Sequence, residues 1–222
     1  MNRSLLVFDM DGVLADVRES YRAAVAATVQ HFTGRLVPPN TIEQYKQAGG
    51  WNNDWALARK IIHDISDQQF AYSDVVSVFQ SLFLGLNNDG LITRERWIPR
   101  NGLLPALVEN HGLGIFTGRP RPEIEITLSR FAPNVRWSAI VADDEVEHPK
   151  PAPDGLIAIR AAHPDALLTY IGDNVDDARC AKAAGVRFIG VADADVPDLA
   201  RRLREEGADA IISDVNEMEG VL

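Results

Sequence analysis

The chain has 222 residues and a formal net charge of −10 at pH 7, and 46% of its residues are apolar. The apolar content is ample for a packed core and argues against intrinsic disorder, and the length allows one large domain or a core with a smaller insert. The negative charge disfavours nucleic acid as a partner, because phosphate backbones are bound by basic patches.

The sequence lacks membrane and secretory features. No apolar run approaches the length needed to span a bilayer, and the first residues do not form a basic, apolar leader. The single cysteine, Cys180, excludes an intramolecular disulfide. We therefore expect a soluble cytoplasmic protein without a membrane partner, either monomeric or homodimeric.

The first predicted element is a strand at residues 5–8, whose four successive apolar residues are typical of a strand covered on both faces. Asp9, Asp11 and Gly12 follow it directly. Open α/β sheets bind ligands at the carboxyl ends of their strands, and two neighbouring carboxylates repel each other unless a cation joins them. The alternative is an ordinary acidic turn, because Asp-Gly is a common turn dipeptide.

The stretch from residue 17 to residue 96 is predicted to contain helices and no buried strand. A capping box of Asp16 and Glu19 is expected to begin the first helix, and the predicted helices cover residues 17–32, 41–48, 53–65 and 67–84. This insert is longer than an ordinary connecting loop. We therefore predict a helical domain at residues 16–96 and a core domain formed by residues 1–15 and 97–222.

Beyond residue 97, helices and strands alternate. The predicted strands cover residues 114–116, 139–141, 169–171, 188–191 and 210–212, and the predicted helices cover residues 103–110, 123–131, 154–162, 177–184 and 197–206. Such alternation predicts an α/β core with a Rossmann-like, doubly wound and mainly parallel sheet.

Three segments of this half carry polar residues beside predicted strands. One apolar run ends in Thr117 and Gly118, and a later one ends in an acidic cluster that begins at Asp173. Between them, Lys150 lies in a loop whose three prolines restrict its movement. A lone threonine usually just ends a strand, and a lone lysine in a loop usually lies on the surface. The occurrence of all these segments together is therefore what indicates a functional site.

With the segment of Asp9 and Asp11, these segments resemble the four motifs of the haloacid dehalogenase superfamily of phosphohydrolases, in the same order and at comparable spacing. The resemblance extends from residue 5 to about residue 190. It implies that the helical insert is a C1-type cap that closes over the active site. The subclass that the chain resembles most contains phosphoglycolate phosphatase and small sugar-phosphate phosphatases.

The resemblance also implies a reaction, namely Mg²⁺-dependent hydrolysis of a small phosphorylated metabolite through an aspartyl-phosphate. Asp9 would be the nucleophile, Asp11 the general acid and base, and Lys150 the cation that neutralises the phosphorylated aspartate. Thr117 and Gly118 would bind phosphoryl oxygens. Arg119 would add a charge that the family does not require.

The metal would be held by Asp9, Asp173 and the main-chain carbonyl of Asp11, according to the same resemblance. Asp177 aligns with the second acid of the final motif, and Asn174 would support the site by contacting phosphate or by shaping the turn. Asp176 is interpreted as a helix cap or a solvated acid rather than a contact residue.

Substrate selectivity is expected to come from the cap. Trp51, Asn52 and Asn53 form a polar, aromatic loop that is a candidate for contacting a small polar substrate, and Arg18 is a further candidate. The competing interpretation is that this loop packs two helices together and that its asparagines are caps.

Four alternatives to the phosphatase follow from the same fold. A sugar-phosphate mutase of the β-phosphoglucomutase kind has the same core and cap type, and a non-catalytic binding protein would keep the fold alone. Phosphonate-cleaving relatives need a cap lysine; Lys46 and Lys60 are available, but neither lies in a recognisable context. Asp11 argues against dehalogenation of carbon, because dehalogenating members lack an acid at that position.

Overall fold

The structure is a computed structural model that describes residues 4–194, 196 and 198–222. Its helices are α1 (Tyr21–Thr33), α2 (Pro39–Ala48), α3 (Asp54–Ser66), α4 (Tyr72–Leu84), α5 (Leu103–Asn110), α6 (Arg121–Phe131), α7 (Asp154–Ala162), α8 (Val175–Ala184) and α9 (Leu199–Glu206). Its strands are β1 (Ser4–Phe8), β2 (Ala15–Asp16), β3 (Arg96–Trp97), β4 (His111–Phe116), β5 (Ala139–Val141), β6 (Leu167–Gly172), β7 (Arg187–Val191) and β8 (Ala210–Ile212).

Six of the strands form one sheet in the order β5-β4-β1-β6-β7-β8. Every neighbouring pair in it is parallel. β1 lies in the middle, between β4 and β6, and its run of apolar residues is therefore enclosed as a two-sided strand requires. The predicted α/β fold with a doubly wound parallel sheet is confirmed.

Both faces of this sheet are packed. Leu6 and Phe8 of β1 point into one hydrophobic cluster, and Leu5 and Val7 point into a second cluster on the other face. All four side chains are at most 2% exposed. Full burial of each side chain stabilises the fold by about 1.5–3 kcal/mol, so packing on both faces holds this strand in place.

The chain divides into two compact units. One unit comprises the segment up to Ala15 together with Trp97–Leu222, and it contains the sheet; the other is Asp16–Arg96. The second unit has an aromatic core, in which the rings of Tyr21 and Phe83 lie 4.1 Å apart. Among the described residues, no helix has both the length and the apolarity that a membrane crossing requires.

Two helix starts in the second unit were predicted wrongly. α1 begins at Tyr21, because the Asp16 carboxylate accepts hydrogen bonds from the main chain and guanidinium of Arg18 and does not cap the helix. α4 begins at Tyr72, because Asp67 ends the preceding helix in a left-handed conformation with φ 55°. The predicted start of the last helix, residue 197, lies outside the described residues.

Candidate active site

Parallel register gathers the predicted motifs at one edge of the sheet. Phe8 pairs with Ile115 of β4 and with Ile171 of β6. The residues that follow these three strands therefore emerge side by side, and the Asp9 amide donates a 2.8 Å hydrogen bond to the Ile171 carbonyl. Thr117 follows β4 and is 1% exposed. Gly118 comes next to it and is half-buried.

Lys150 lies between two buried carboxylates. Its Nζ atom is 3.1 Å from Oδ1 of Asp9 and 2.7 Å from Oδ1 of Asp177. The side chains of all three residues are at most 4% exposed. Burial opposes the charge on Lys150, but attraction to Asp177 and Asp9 outweighs it and holds the pKa of the lysine above its usual value. Burial also raises the pKa of Asp9 to about 7, opposed by Lys150 and reinforced by Asp177 and Asp11.

Asp177 is the anchor of this cluster. Its Oδ1 atom also accepts a 2.8 Å hydrogen bond from the Tyr170 hydroxyl. Its Oδ2 atom accepts the backbone N–H groups of Asp173 at 3.1 Å and Asn174 at 3.2 Å. A Cβ atom at Gly172 would lie 2.5 Å from the Asp177 Cβ, so a glycine is needed at the end of β6 for this approach. Both oxygens of Asp177 are therefore occupied by donors.

The start of α8 is built by Asn174. Its side chain accepts the Asp177 N–H at 3.0 Å, and together the two residues form a capping box. The prediction that Asp176 is a cap or a solvated acid is wrong, because Asn174 takes the cap position and Asp176 falls in the first turn, 3% exposed. The Asp176 carboxylate lies 3.9 Å from the guanidinium of Arg179.

The donor set for a metal ion comes from two strand ends. Carboxylate oxygens of Asp9, Asp173 and Asp177 lie within 4.8 Å of one another. Gly12 has φ +76°, and a Cβ atom there would lie 1.8 Å from Oδ2 of Asp173, so the Asp173 carboxylate rests directly against the loop after β1.

These oxygens fit a hard divalent cation, which prefers carboxylate and carbonyl ligands. Asp177 is already saturated by hydrogen-bond donors, which leaves Asp9 and Asp173 as the side chains that suit a metal. Oδ1 of Asp9 is buried and accepts no aligned hydrogen bond from the described residues, although Lys150 is nearby.

Asp11 has a different partner from Asp9. The Nε and Nη2 atoms of Arg119 lie 2.7 Å and 2.6 Å from its Oδ1 atom. Nη1 of Arg119 donates to the Thr127 hydroxyl on α6 at 2.8 Å, and the Arg119 amide donates to the Thr117 hydroxyl at 3.4 Å. Arg119 is thus a buried partner of Asp11, a role that the sequence did not indicate.

Two other buried groups were not singled out from the sequence. The Tyr170 hydroxyl accepts from Lys150 at 3.1 Å and contacts the Phe116 carbonyl at 3.1 Å. The one available signal was a tyrosine inside an apolar strand, because a buried hydroxyl requires a partner. Glu123 of α6 is 2% exposed, and burial, with Asp11 and Asp144, raises its pKa to about 8.

The residues expected to set selectivity lie in the helical unit. Asn53 is the N-cap of α3, since its side chain accepts the Ala56 N–H at 2.8 Å. Lys46 donates to the main-chain oxygen of Asn52 at 3.1 Å and pairs with Asp54 at 2.8 Å, so this lysine braces the loop.

Two further candidates of the helical unit lie near its surface. Trp51 lines a cavity of about 410 Å³ whose other walls include Arg59, Lys60 and His63. The side chain of Arg18 is 67% exposed and paired with Asp16. Lys60 forms an ion pair with Asp64 one helical turn along.

Comparison with known proteins identifies related sequences and folds. A family model described as haloacid dehalogenase-like hydrolase matches residues 4–185. The chain is 33% identical over 194 residues to an imidazoleglycerol-phosphate dehydratase from Phytophthora nicotianae, which aligns 84% of this chain with 42% of that protein. It is 28% identical over 200 residues to phosphoglycolate phosphatase 1 of Pseudomonas aeruginosa, which aligns 82% of this chain with 67% of that protein.

The chain therefore spans less than half the length of the first of these relatives. Among solved structures, a Bacteroides fragilis protein described as a haloacid dehalogenase-like hydrolase superposes with a TM-score of 0.76 at 22% identity. That superposition covers 97% of this chain and 99% of the other, so the two proteins share the fold over that part of the chain.

Proposed function

Because the chain belongs to the haloacid dehalogenase-like hydrolase family, we propose that it is a Mg²⁺-dependent phosphatase of small phosphorylated metabolites, similar to phosphoglycolate phosphatase. The observation that carries this proposal is the burial of Asp9 against Lys150, beside Asp173 and Asp177. A structural ion pair does not need a further acidic group beside it, whereas a phosphoryl-transfer site needs both a cation and a nucleophile.

Asp9 is the nucleophile. Its carboxylate attacks phosphorus, the bond between phosphorus and the ester oxygen breaks, and the departing alkoxide takes a proton from Asp11. A water molecule then attacks phosphorus and gives a proton to Asp11, while the bond between phosphorus and the Asp9 oxygen breaks. Phosphate is released, Asp9 is again a carboxylate and Asp11 is again protonated. Lys150 keeps Asp9 in place and offsets the negative charge of the phosphorylated state.

A divalent cation would be held by Asp9, Asp173 and the main-chain carbonyl of Asp11. When bound, it neutralises charge on the phosphoryl oxygens and so favours the approach of the nucleophile. Thr117 and Gly118 supply a hydroxyl and a backbone N–H for the same oxygens.

The helical unit at residues 16–96 acts as the cap and recognises the part of the substrate that leaves. Trp51 and Asn52 are the contact candidates in its loop, and Arg18 is a weaker one, because it is paired with Asp16. We assign Asn53 to capping rather than to recognition.

Release of inorganic phosphate from a panel of esters with Mg²⁺ tests the proposal. The panel contains 2-phosphoglycolate, hexose phosphates and imidazoleglycerol phosphate, the last because of the name of the Phytophthora relative. We expect phosphate release by the wild-type protein and none by Asp9→Asn. Isomerisation that requires a bisphosphate primer would indicate a mutase instead, and inactivity toward the whole panel would contradict an enzymatic role.

A further inference from the structure

Arg119 is buried far more completely than an arginine needs to be for a surface ion pair. Its side chain is 1% exposed, whereas the Asp11 side chain that it binds is 21% exposed. Arginine is rarely buried unless it is paired, and burying a guanidinium is costly unless its donors are used. Here Nε donates to the Asp11 carboxylate and Nη1 donates to the Thr127 hydroxyl.

The two contacts hold the arginine from opposite sides. The hydroxyl of Thr127, itself fully buried on α6, accepts a hydrogen bond from Nη1 at 2.8 Å. Oδ1 of Asp11 accepts one from Nε at 2.7 Å, and Nη2 lies 2.6 Å from the same oxygen as an ion-pair contact. A planar guanidinium bonded at both ends has little rotational freedom. The helix therefore fixes the arginine, and the arginine fixes the loop carboxylate.

Both contacts with Asp11 involve the same oxygen, Oδ1. That oxygen cannot also deliver a proton, so Oδ2 remains as the atom that carries it. Geometry of this kind sets the direction of the transferable proton, which matters because general acid catalysis requires hydrogen-bond reach to the leaving oxygen.

We propose that Arg119 is a positioning residue that holds Asp11 by one oxygen so that the other oxygen protonates the leaving group. This inference rests on the proposed phosphatase function. In this role the arginine acts on the reaction through the Asp11 carboxylate that it holds.

The test compares two esters whose leaving groups differ in their need for a proton. An alkyl phosphate leaves as a basic alkoxide, whereas p-nitrophenyl phosphate leaves as a stable phenolate. Release of the leaving group is measured in single turnovers with excess enzyme and saturating Mg²⁺, so that the later hydrolysis of the aspartyl-phosphate does not enter.

We expect Arg119→Ala to slow the alkyl ester by about 100-fold, within the usual range of general acid catalysis, and the aryl ester by less than about tenfold. Thr127→Val removes the partner of Nη1 and is expected to give a smaller loss with the same selectivity. Equal losses on both esters, or no loss on either, would overturn the assignment of Arg119.

Arg121 is the matched control. It lies two residues further on, its side chain is 28% exposed, and it pairs with Glu145 at 2.5 Å. Arg121→Ala is expected to leave both rates within about twofold, because exposed ion pairs contribute little. If the wild-type enzyme were inactive toward both esters, the phosphatase function itself would be rejected. An active wild-type enzyme with equal losses on both esters in Arg119→Ala would reject only the role of Arg119.

A second measurement reports the contact without turnover. The Nε–Hε signal of Arg119 in a ¹⁵N-correlated NMR spectrum is assigned by its disappearance in Arg119→Lys. We expect it to be protected from exchange with solvent in the wild-type protein and to shift in Asp11→Asn but not in Arg121→Ala. A signal that Asp11→Asn does not move would overturn the proposal, whatever the kinetics show.

Discussion

Lys150 balances two carboxylates that would otherwise be buried without compensation. Its ammonium group is 3.1 Å from Asp9 and 2.7 Å from Asp177. A buried ion pair adds little net stability compared with apolar residues of the same size, yet removal of one partner is strongly destabilising because a charge is left uncompensated. The same residue therefore serves the stability of the folded chain and the proposed chemistry.

We expect Lys150→Met to lower the free energy of unfolding by about 3–5 kcal/mol at pH 7. Urea titration measures this change. The control is Lys182→Met at an exposed position of α8, which is expected to change stability by less than about 0.5 kcal/mol. Adding Asp177→Asn to Lys150→Met should restore part of the loss; a double variant less stable than the single one would contradict this account.

Glu123 provides a pH-dependent test, because burial raises its pKa in the folded state to about 8, above the ordinary value of 4.5. Between these two pH values the unfolded chain has released the proton and the folded chain retains it, so stability falls as pH rises from about 4.5 and levels off above about 8. Glu123→Gln cannot release a proton there. The stability of this variant relative to wild type is therefore expected to increase from pH 5 to pH 9.

Denaturant titrations at pH 5, 7 and 9 measure that difference. Glu125→Gln, on the exposed side of the same helix, is the control and should give a difference that is nearly independent of pH. A Glu123→Gln difference that stays constant across the range would show that the carboxyl group is already ionised in the folded protein at pH 5.

The loops that begin and end the elements determine where the functional groups lie. Gly12 shows this most directly, because its φ of +76° disfavours a side chain and the space of a Cβ is filled by Asp173. Gly185, at the end of α8, has a similar φ of +64° with nothing within 4 Å of the corresponding Cβ position. A substitution at Gly185 would cause backbone strain alone, whereas one at Gly12 would also displace Asp173.

We expect Gly12→Ala and Gly185→Ala each to cost about 1 kcal/mol of stability through strain, and only Gly12→Ala to weaken Mg²⁺ binding. Bound metal stabilises the folded state by mass action, so the rise in Tm with added Mg²⁺ measures affinity. Equal rises for the two variants would contradict the placement of Asp173 as a ligand.

Capping is the second element-scale effect. Asn53→Ala is expected to cost about 1 kcal/mol through loss of the α3 cap, whereas Asn53→Asp keeps an acceptor at that position and should cost little. The relative rates on the ester panel should be unchanged in both variants. If Asn53→Asp also changed the ranking of substrates, the Asn53 side chain would have a role in substrate recognition besides capping.

At the scale of the molecule, the pattern of apolar runs was sufficient to predict an α/β parallel sheet. The bounds of Leu103–Asn110, Ala139–Val141 and Asp154–Ala162 agree with prediction. Both helices have a Gly or Pro within two residues of each end. The starts of α1 and α4 do not agree, because the aspartates that were expected to begin these helices have other roles. Asp16 binds Arg18, and Asp67 is the C-cap of α3.

The core of the candidate site was predictable because parallel strands align their carboxyl ends by geometry alone. The contact of Arg119 with Asp11 was not, because 108 residues separate them and no local pattern marks an arginine that turns inward. The Tyr170 hydroxyl was missed for a similar reason, since its partners come from three separate segments.

The middle position of β1 has a consequence for synthesis. The strand is translated before both of its neighbours in the sheet, β4 (His111–Phe116) and β6 (Leu167–Gly172). A long stretch of translation passes while this apolar strand has no hydrogen-bonding partner, which is the situation that favours chaperone capture and off-pathway association. The helical unit, whose contacts are local in sequence, is by contrast fully translated before either neighbour of β1 exists.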